Sequence, residues 1–292
     1  MRTLLAVTLA VAACGEPGDA TPDGGRPDAP PGCTRPDLGD GVQAYLTDVI
    51  ARIPAPRATT AQRLGARTFL ADELAALGWQ PQTQPFANGA NVFATIPATM
   101  PAAIGEGKQV IVGAHFDTVA GSPGANDNAS GTAVVLAVAR YLRDTPCRTA
   151  PVVVAFFDLE EAGLFGSRAF AQSLSPADVR AVHTIDQVAW DEDGDRRFEL
   201  EQPTPALEAE WRAAAAVVGA PLTTVSTGGT DHESFRDRGF AAVGLTEEFV
   251  GGDTSPLRHL PGDTPQSIAP FAAYTALAAK LAGQVILDEV SP

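Results

Sequence analysis

From residue 41 onward the chain alternates between two kinds of hydrophobic spacing. Residues 41–53 and 59–77 carry apolar side chains at three- and four-residue intervals, the period of a helix, with Leu64, Phe69, Leu70, Leu74 and Leu77 in the second. Thr59 and Gln62 are the residue pair of a capping box at its start, and Gly78 follows its end. Residues 80–86 and 91–96 are short extended runs that predict an antiparallel entry into a sheet. Beyond them, apolar runs at 110–115, 152–157 and 241–245 predict strands, and residues 181–188 predict another. Helical spacing at 130–143, 166–174 and 205–218 separates these runs, with Thr204 and Pro205 opening the last of the three. Thr264 caps a final helix with Pro265 in its first turn and Ile268, Phe271, Leu277 and Leu281 on its inner face. Apolar strands that lack polar alternation are buried on both faces. The pattern predicts an α/β fold with a mixed, largely parallel central sheet flanked by helices on both faces.

The polar residues acquire meaning on that map. His115 closes the first buried strand, Glu160 and Glu161 follow the second, and Asp186 falls late in the third. Ligands of open α/β sheets gather at the carboxyl ends of the strands, so these four converge on one edge. They lie in three of five stretches that carry candidate chemistry: HFD at 115–117, GANDNASG at 124–131, DLEEAG at 158–163, TID at 184–186 and RHLPGDT at 258–264. Zinc accepts imidazole nitrogen and carboxylate oxygen, and a hydrolytic pair needs a bridging carboxylate and an open position for water. Asp127 is the residue in GANDNASG able to bridge two cations, although in isolation that stretch reads as a surface turn. Two adjacent glutamates repel each other unless cations are present; one can bind metal while the other moves a proton. Asp117 stands where it can accept the second ring N–H of His115.

These motifs resemble the co-catalytic zinc exopeptidases, the family that includes bacterial leucyl aminopeptidases, glutamate carboxypeptidase and the glutaminyl cyclases. The likeness covers nearly the whole domain. It implies two zinc ions, one bound by His115 and Asp186, the other by Glu161 and His259, with Asp127 bridging them. It implies Glu160 as general acid and base, Asp117 as the partner of His115, and a cis peptide at Asp127–Asn128. It places His232, in TDHESF, beside the pocket as support and not as a ligand. His183, three residues before Asp186, falls on the opposite strand face and reads as structural. The implied reaction is removal of N-terminal residues from peptides, with Glu160 and Asp186 also able to hold the substrate amine. A glutaminyl cyclase, a carboxypeptidase-type hydrolase and an inactive surface-binding lipoprotein are the alternatives. Family members often have tyrosine before the last zinc histidine, whereas this chain has Arg258. Three roles stay open for it: supplying positive charge, binding a substrate carboxylate, or facing solvent.

The N-terminus changes the picture of location. Arg2 and the apolar run from Leu4 to Ala13 form a targeting segment too short to span a bilayer permanently. Val11-Ala12-Ala13-Cys14 resembles a bacterial lipobox, which implies a lipid anchor at Cys14; an ordinary secretory signal is the other reading. Of residues 15–32, ten are Gly or Pro and four are acidic, the composition of an unstructured tether. The organisation expected is a signal peptide at 1–13, anchor and tether at 14–36, and a catalytic domain at 37–292. Localisation in the cell envelope follows, and Gly15 favours the outer membrane. The formal charge of −15 gives no basis for binding nucleic acid. Once Cys14 is lipidated, Cys33 and Cys147 remain; in an oxidising compartment they form a disulfide or stay as two unrelated thiols.

Overall fold

The computed structural model describes residues 30–101 and 107–292, so the expected signal peptide at 1–13, Cys14 and most of the tether lie outside the described residues. Helix α1 spans Val42–Arg52 and α2 spans Thr60–Ala76. The capping box forms: Thr59 Oγ1 accepts the Gln62 N–H at 3.3 Å, and Gln62 Oε1 accepts the Thr59 N–H at 2.9 Å. The inner stripe of α2 is Arg63, Ala66, Leu70 and Leu74, while Leu64 is 56% exposed. Arg63 and Arg67 pair with the buried Asp158 at 2.8 and 2.9 Å, which turns their side of the helix inward and Leu64 outward.

The strands are β1 Gln82–Phe86, β2 Gly89–Ile96, β3 Gln109–His115, β4 Val152–Phe157, β5 Val179–Ile185, β6 Phe198–Glu201, β7 Leu222–Val225 and β8 Ala242–Thr246. They form one sheet in the order β1-β2-β4-β3-β5-β8-β6-β7. The central four, β4, β3, β5 and β8, are parallel. The β1–β2, β2–β4 and β6–β8 pairings are antiparallel, as a mixed sheet requires. The remaining helices are α3 Gly131–Arg143, α4 Phe165–Gln172, α5 Pro205–Val218, α6 Asp231–Arg236, α7 Pro265–Ile268 and α8 Ala272–Val290.

Alternation along the strands divides the core in two. Val110, Val112, Ala114, Val152, Val154 and Phe156 face a large cluster shared with α1, α2, α3, α5 and α8. Ile111, Val153, Ala155 and Phe157 face a smaller one with Phe170 and Phe235 of α4 and α6. Three details depart from the sequence pattern. Strand β5 ends at Ile185, so Asp186 lies just beyond it, where Gln187 turns the chain at φ 46°. The final helix is broken at 269–271, where Pro270 cannot donate to a helical ladder. Strands β6 and β7, four residues each, extend the sheet beyond β8.

The disulfide Cys33–Cys147 joins the start of the described chain to the amino end of β4, with Cα atoms 5.3 Å apart. At the opposite edge, β3 leads through α3 to β4 on one side, and the chain then returns to β5 on the other. The strand order therefore reverses between β3 and β5, which opens a crevice above their carboxyl ends. His115 and Asp186 flank it.

Candidate active site

His115 is buried at the end of β3. Its Nε2 lies 3.3 Å from Asp127 Oδ1, 3.3 Å from Asp186 Oδ1 and 4.0 Å from Glu160 Oε2. Its Nδ1 faces Asp117 Oδ1 at 3.5 Å. Asp117 also accepts the backbone N–H groups of Glu160 at 2.9 Å and Glu161 at 3.3 Å, tying the loop after β4 to the end of β3. His259 approaches from the other side. Its Nε2 is 3.1 Å from Asp127 Oδ2 and 3.0 Å from Glu161 Oε2. His259 holds φ at 62°, in the left-handed region that non-glycine residues rarely occupy, so the turn aims the imidazole inward at a local cost.

Two groups of side chains that could hold a metal ion result, His115–Asp127–Asp186 and Asp127–Glu161–His259, each with donor atoms within 4.8 Å of one another. They share Asp127. The structure thus brings together all seven residues singled out in the sequence: His115, Asp117, Asp127, Glu160, Glu161, Asp186 and His259. Asp127 Oδ2, Glu161 Oε1 and His259 Nε2 are buried without a hydrogen-bond partner among the described residues. Such atoms are rare in proteins unless something else satisfies them. Ligands about 2.0–2.1 Å from a tetrahedral zinc stand roughly 3.3 Å apart, close to the spacings here, so the donor set fits zinc.

The electrostatics follow from burying so many carboxylates together. Burial, reinforced by Asp186, Asp231 and Glu161, pushes the Glu160 carboxyl up to about 9. Burial and Asp127 push Glu161 up to about 7. Burial opposes charge on His115, but Glu160 and Asp186 outweigh it and raise its pKa well above the ordinary value. Burial would likewise raise Asp127, yet the neighbouring His115 and His259 imidazoles hold it below the usual carboxylate range.

A buried frame positions Asp127. Residues 125–130 form a wide π-type turn, and the Asp127–Asn128 peptide is cis. Asp263 accepts the N–H of Asn126 at 2.7 Å and of Asp127 at 3.0 Å. Asn126 Nδ2 donates to Glu247 at 2.9 Å, and Asn126 Oδ1 accepts the Ala189 N–H at 2.9 Å. Asn128 Nδ2 donates to the Ile185 carbonyl at 2.8 Å, next to Asp186. Gly124 holds φ at 69°, and a Cβ there would collide with Thr118 and the Asp127 carbonyl. Arg57 is wholly buried and donates to the carbonyls of Phe116, Pro123 and Gly124, which flank Asp117 and Asp127. Sequence reasoning missed Arg57, Asp263 and Glu247. Only Asp263 carried a signal, its place inside RHLPGDT.

The other two histidines are apart from the donor groups. His183 accepts a hydrogen bond from Trp211 Nε1 at 3.1 Å and faces Glu289 at 3.3 Å. His232 packs against Thr230 at 2.7 Å and Glu201 at 3.5 Å, and burial lowers its pKa to about 4.

Residues 91–282 match the sequence model of peptidase family M28. The chain belongs to that family. It is 31% identical over 172 residues to aminopeptidase YwaD of Bacillus subtilis, covering 55% of this chain and 37% of that one. It is 45% identical over 76 residues to a probable lipoprotein aminopeptidase, LpqL, of Mycobacterium tuberculosis, covering 26% and 15% of the two chains. The chain spans less than half the length of these curated relatives. The structure of BSAP, a zinc aminopeptidase from Bacillus subtilis, aligns with a TM-score of 0.77 at 16% identity, covering 88% of this chain and 96% of the other. At that identity the likeness establishes a shared fold.

Proposed function

We propose that this M28 peptidase is a zinc-dependent aminopeptidase that removes N-terminal residues from peptides. The observation that carries this reading is Asp127, whose two oxygens face the two imidazoles at 3.3 and 3.1 Å. His115 and Asp186 would hold one zinc, Glu161 and His259 a second, and Asp127 both. When bound, zinc supplies Lewis acidity and lowers the pKa of water from about 15.7 towards 7. Glu160 takes the proton from the attacking water and delivers it to the leaving amine. Asp117 orients the His115 ring through Nδ1 and fixes the Glu160 backbone, so the base and the ligand move as one unit. Asp186 and Glu160 present negative charge to the substrate's free α-amine.

The test is hydrolysis of aminoacyl-nitroanilides by the purified protein, with zinc or with chelator, beside Glu160→Ala. Zinc per chain is counted by mass spectrometry. Chelator-sensitive release that disappears in the variant supports the reading. No release by protein that holds two zinc ions would overturn it and turn attention to N-terminal glutamine cyclisation or C-terminal trimming.

The same proposal extends to organisation: a signal peptide at 1–13, a lipid-anchored tether from Cys14 and a catalytic domain at 37–292, displayed in the cell envelope. The lipobox-like residues and the name of the LpqL relative support it. Incorporation of a fatty-acid label that is lost in Cys14→Ser is the expected result.

A further inference from the structure

Arg258 stands out beside a site lined by carboxylates and two imidazoles. Its Nε lies 3.5 Å from Asp127 Oδ2, and its side chain remains 43% exposed. The guanidinium carbon sits 5.1 Å from the centre of the Phe249 ring, whose face attracts a cation. Arg57, the other guanidinium against the Asp127 loop, has its N–H groups committed to backbone carbonyls. Arg258 is therefore the one of the two that a substrate can reach.

Its platform is built from the far end of the sheet. The buried Glu199 of β6 accepts the N–H groups of Val250 at 2.9 Å and Gly251 at 2.7 Å, which fixes the turn carrying Phe249. Glu247 accepts the Ser255 N–H at 2.8 Å, and the Ser255 carbonyl accepts the Arg258 N–H at 3.3 Å. Stacking and the contact with Asp127 remove much of the freedom that an exposed arginine would lose on binding. This packing holds a partly exposed guanidinium against the edge of the site, where a substrate can meet it.

We propose that Arg258 binds the C-terminal α-carboxylate of a dipeptide, so that the protein acts preferentially as a dipeptide-cleaving aminopeptidase; this rests on the aminopeptidase reading above. Consecutive Cα atoms are about 3.8 Å apart, and each added residue extends a chain by roughly 3.3–3.6 Å. The C-terminal carboxylate of a dipeptide lies nearest the scissile bond, and each added residue carries it roughly 3.3–3.6 Å away from a guanidinium that touches Asp127. Without Arg258, the surrounding acidic groups repel that carboxylate; with it, the fork of N–H donors matches the two oxygens.

The experiment compares kcat/KM for Leu-Ala, Leu-Ala-amide and Leu-Asp-amide in the zinc-loaded full chain, in Arg258→Met and in Arg258→Lys, with leucine nitroanilide as reference. We expect Leu-Ala to exceed Leu-Ala-amide by about tenfold or more, chiefly through KM, the size of one charge-assisted contact. The ratio falls to near one in Arg258→Met and is partly kept in Arg258→Lys. A ratio near one in the native protein, or one that survives in Arg258→Met, overturns the proposal while nitroanilide cleavage leaves the aminopeptidase reading standing. Leu-Asp-amide cleaved as well as Leu-Ala also overturns it, in favour of a side-chain carboxylate. Cleavage of none of the four substrates overturns the aminopeptidase reading, and this proposal with it.

Discussion

Replacing Arg57 with methionine removes a buried fork while keeping most of its volume. Burial pushes the Arg57 guanidinium down to about 10, a sign of how much solvation it has given up. In exchange it donates to Pro123 O at 3.0 Å, Gly124 O at 2.7 Å and Phe116 O. The Gly124 carbonyl keeps a second donor, the Ala129 N–H at 3.1 Å, so the loss falls mainly on Phe116 and Pro123. A buried carbonyl stripped of its partner costs about 1–3 kcal/mol, and two give roughly 2–6 kcal/mol. Relief of the buried charge offsets part, which leaves a net loss of about 3 kcal/mol. For a domain of this size that is a fall in Tm of roughly 6–12 °C. Urea denaturation followed by tryptophan fluorescence, in chelator so that metal linkage is absent, reads the effect directly. Arg57→Lys keeps the charge without the fork and should recover less than half. Because these carbonyls flank Asp117 and Asp127, zinc affinity should fall as well. A methionine variant within about 0.5 kcal/mol of the native protein would refute the reasoning, since the loop would then support itself.

Other perturbations separate chemistry from scaffold. A glutamate base must be ionised, and raising its pKa keeps it protonated to higher pH, so activity is lost as pH falls through the folded value. For Glu160 that value is about 9 without cations against an ordinary 4.5, and bound zinc draws it down. The acid limb of kcat/KM should lie between the two; full activity persisting to pH 4.5 would contradict Glu160 as base. Glu160→Gln should lower kcat by about 10²–10⁴-fold with zinc retained, measured by metal content and turnover. His183→Gln should cost about 1–3 kcal/mol through the Trp211 and Glu289 contacts yet leave zinc content unchanged, whereas His259→Ala should lower zinc content. Paired Cys33→Ser and Cys147→Ser should lower stability by about 2–4 kcal/mol in denaturant, since the bridge closes a long loop. Turnover should persist, because Cys147 lies at the amino end of β4 and the donor groups lie at the carboxyl end.

Helices and central strands were legible because their signals are local. The Thr59 box, the Thr204–Pro205 start and the apolar runs each depend on a few neighbouring residues. The seven candidate site residues were legible for a related reason. They lie at strand ends or in short motifs, and an α/β sheet gathers its carboxyl ends on one edge whatever the order of its strands. The pairing of Cys33 with Cys147 was one of two readings until the fold brought them to 5.3 Å.

Tertiary structure decided what depends on partners far away in the chain. The reversal of strand order between β3 and β5, and the addition of the four-residue β6 and β7, rest on pairing energies with no local signature. Leu64 is displaced to the surface by Arg63 and Arg67 reaching a carboxylate more than 90 residues on, at Asp158. Arg57 meets its carbonyls 59 to 67 residues away, and Asp263 reaches Asn126 and Asp127 across 136 to 137. A buried polar group must find a partner wherever the fold supplies one, and nothing in its immediate sequence says where. Arg258 follows the same rule: its residue type was plain, but its direction came from a phenylalanine held in place by Glu199, a side chain on another strand.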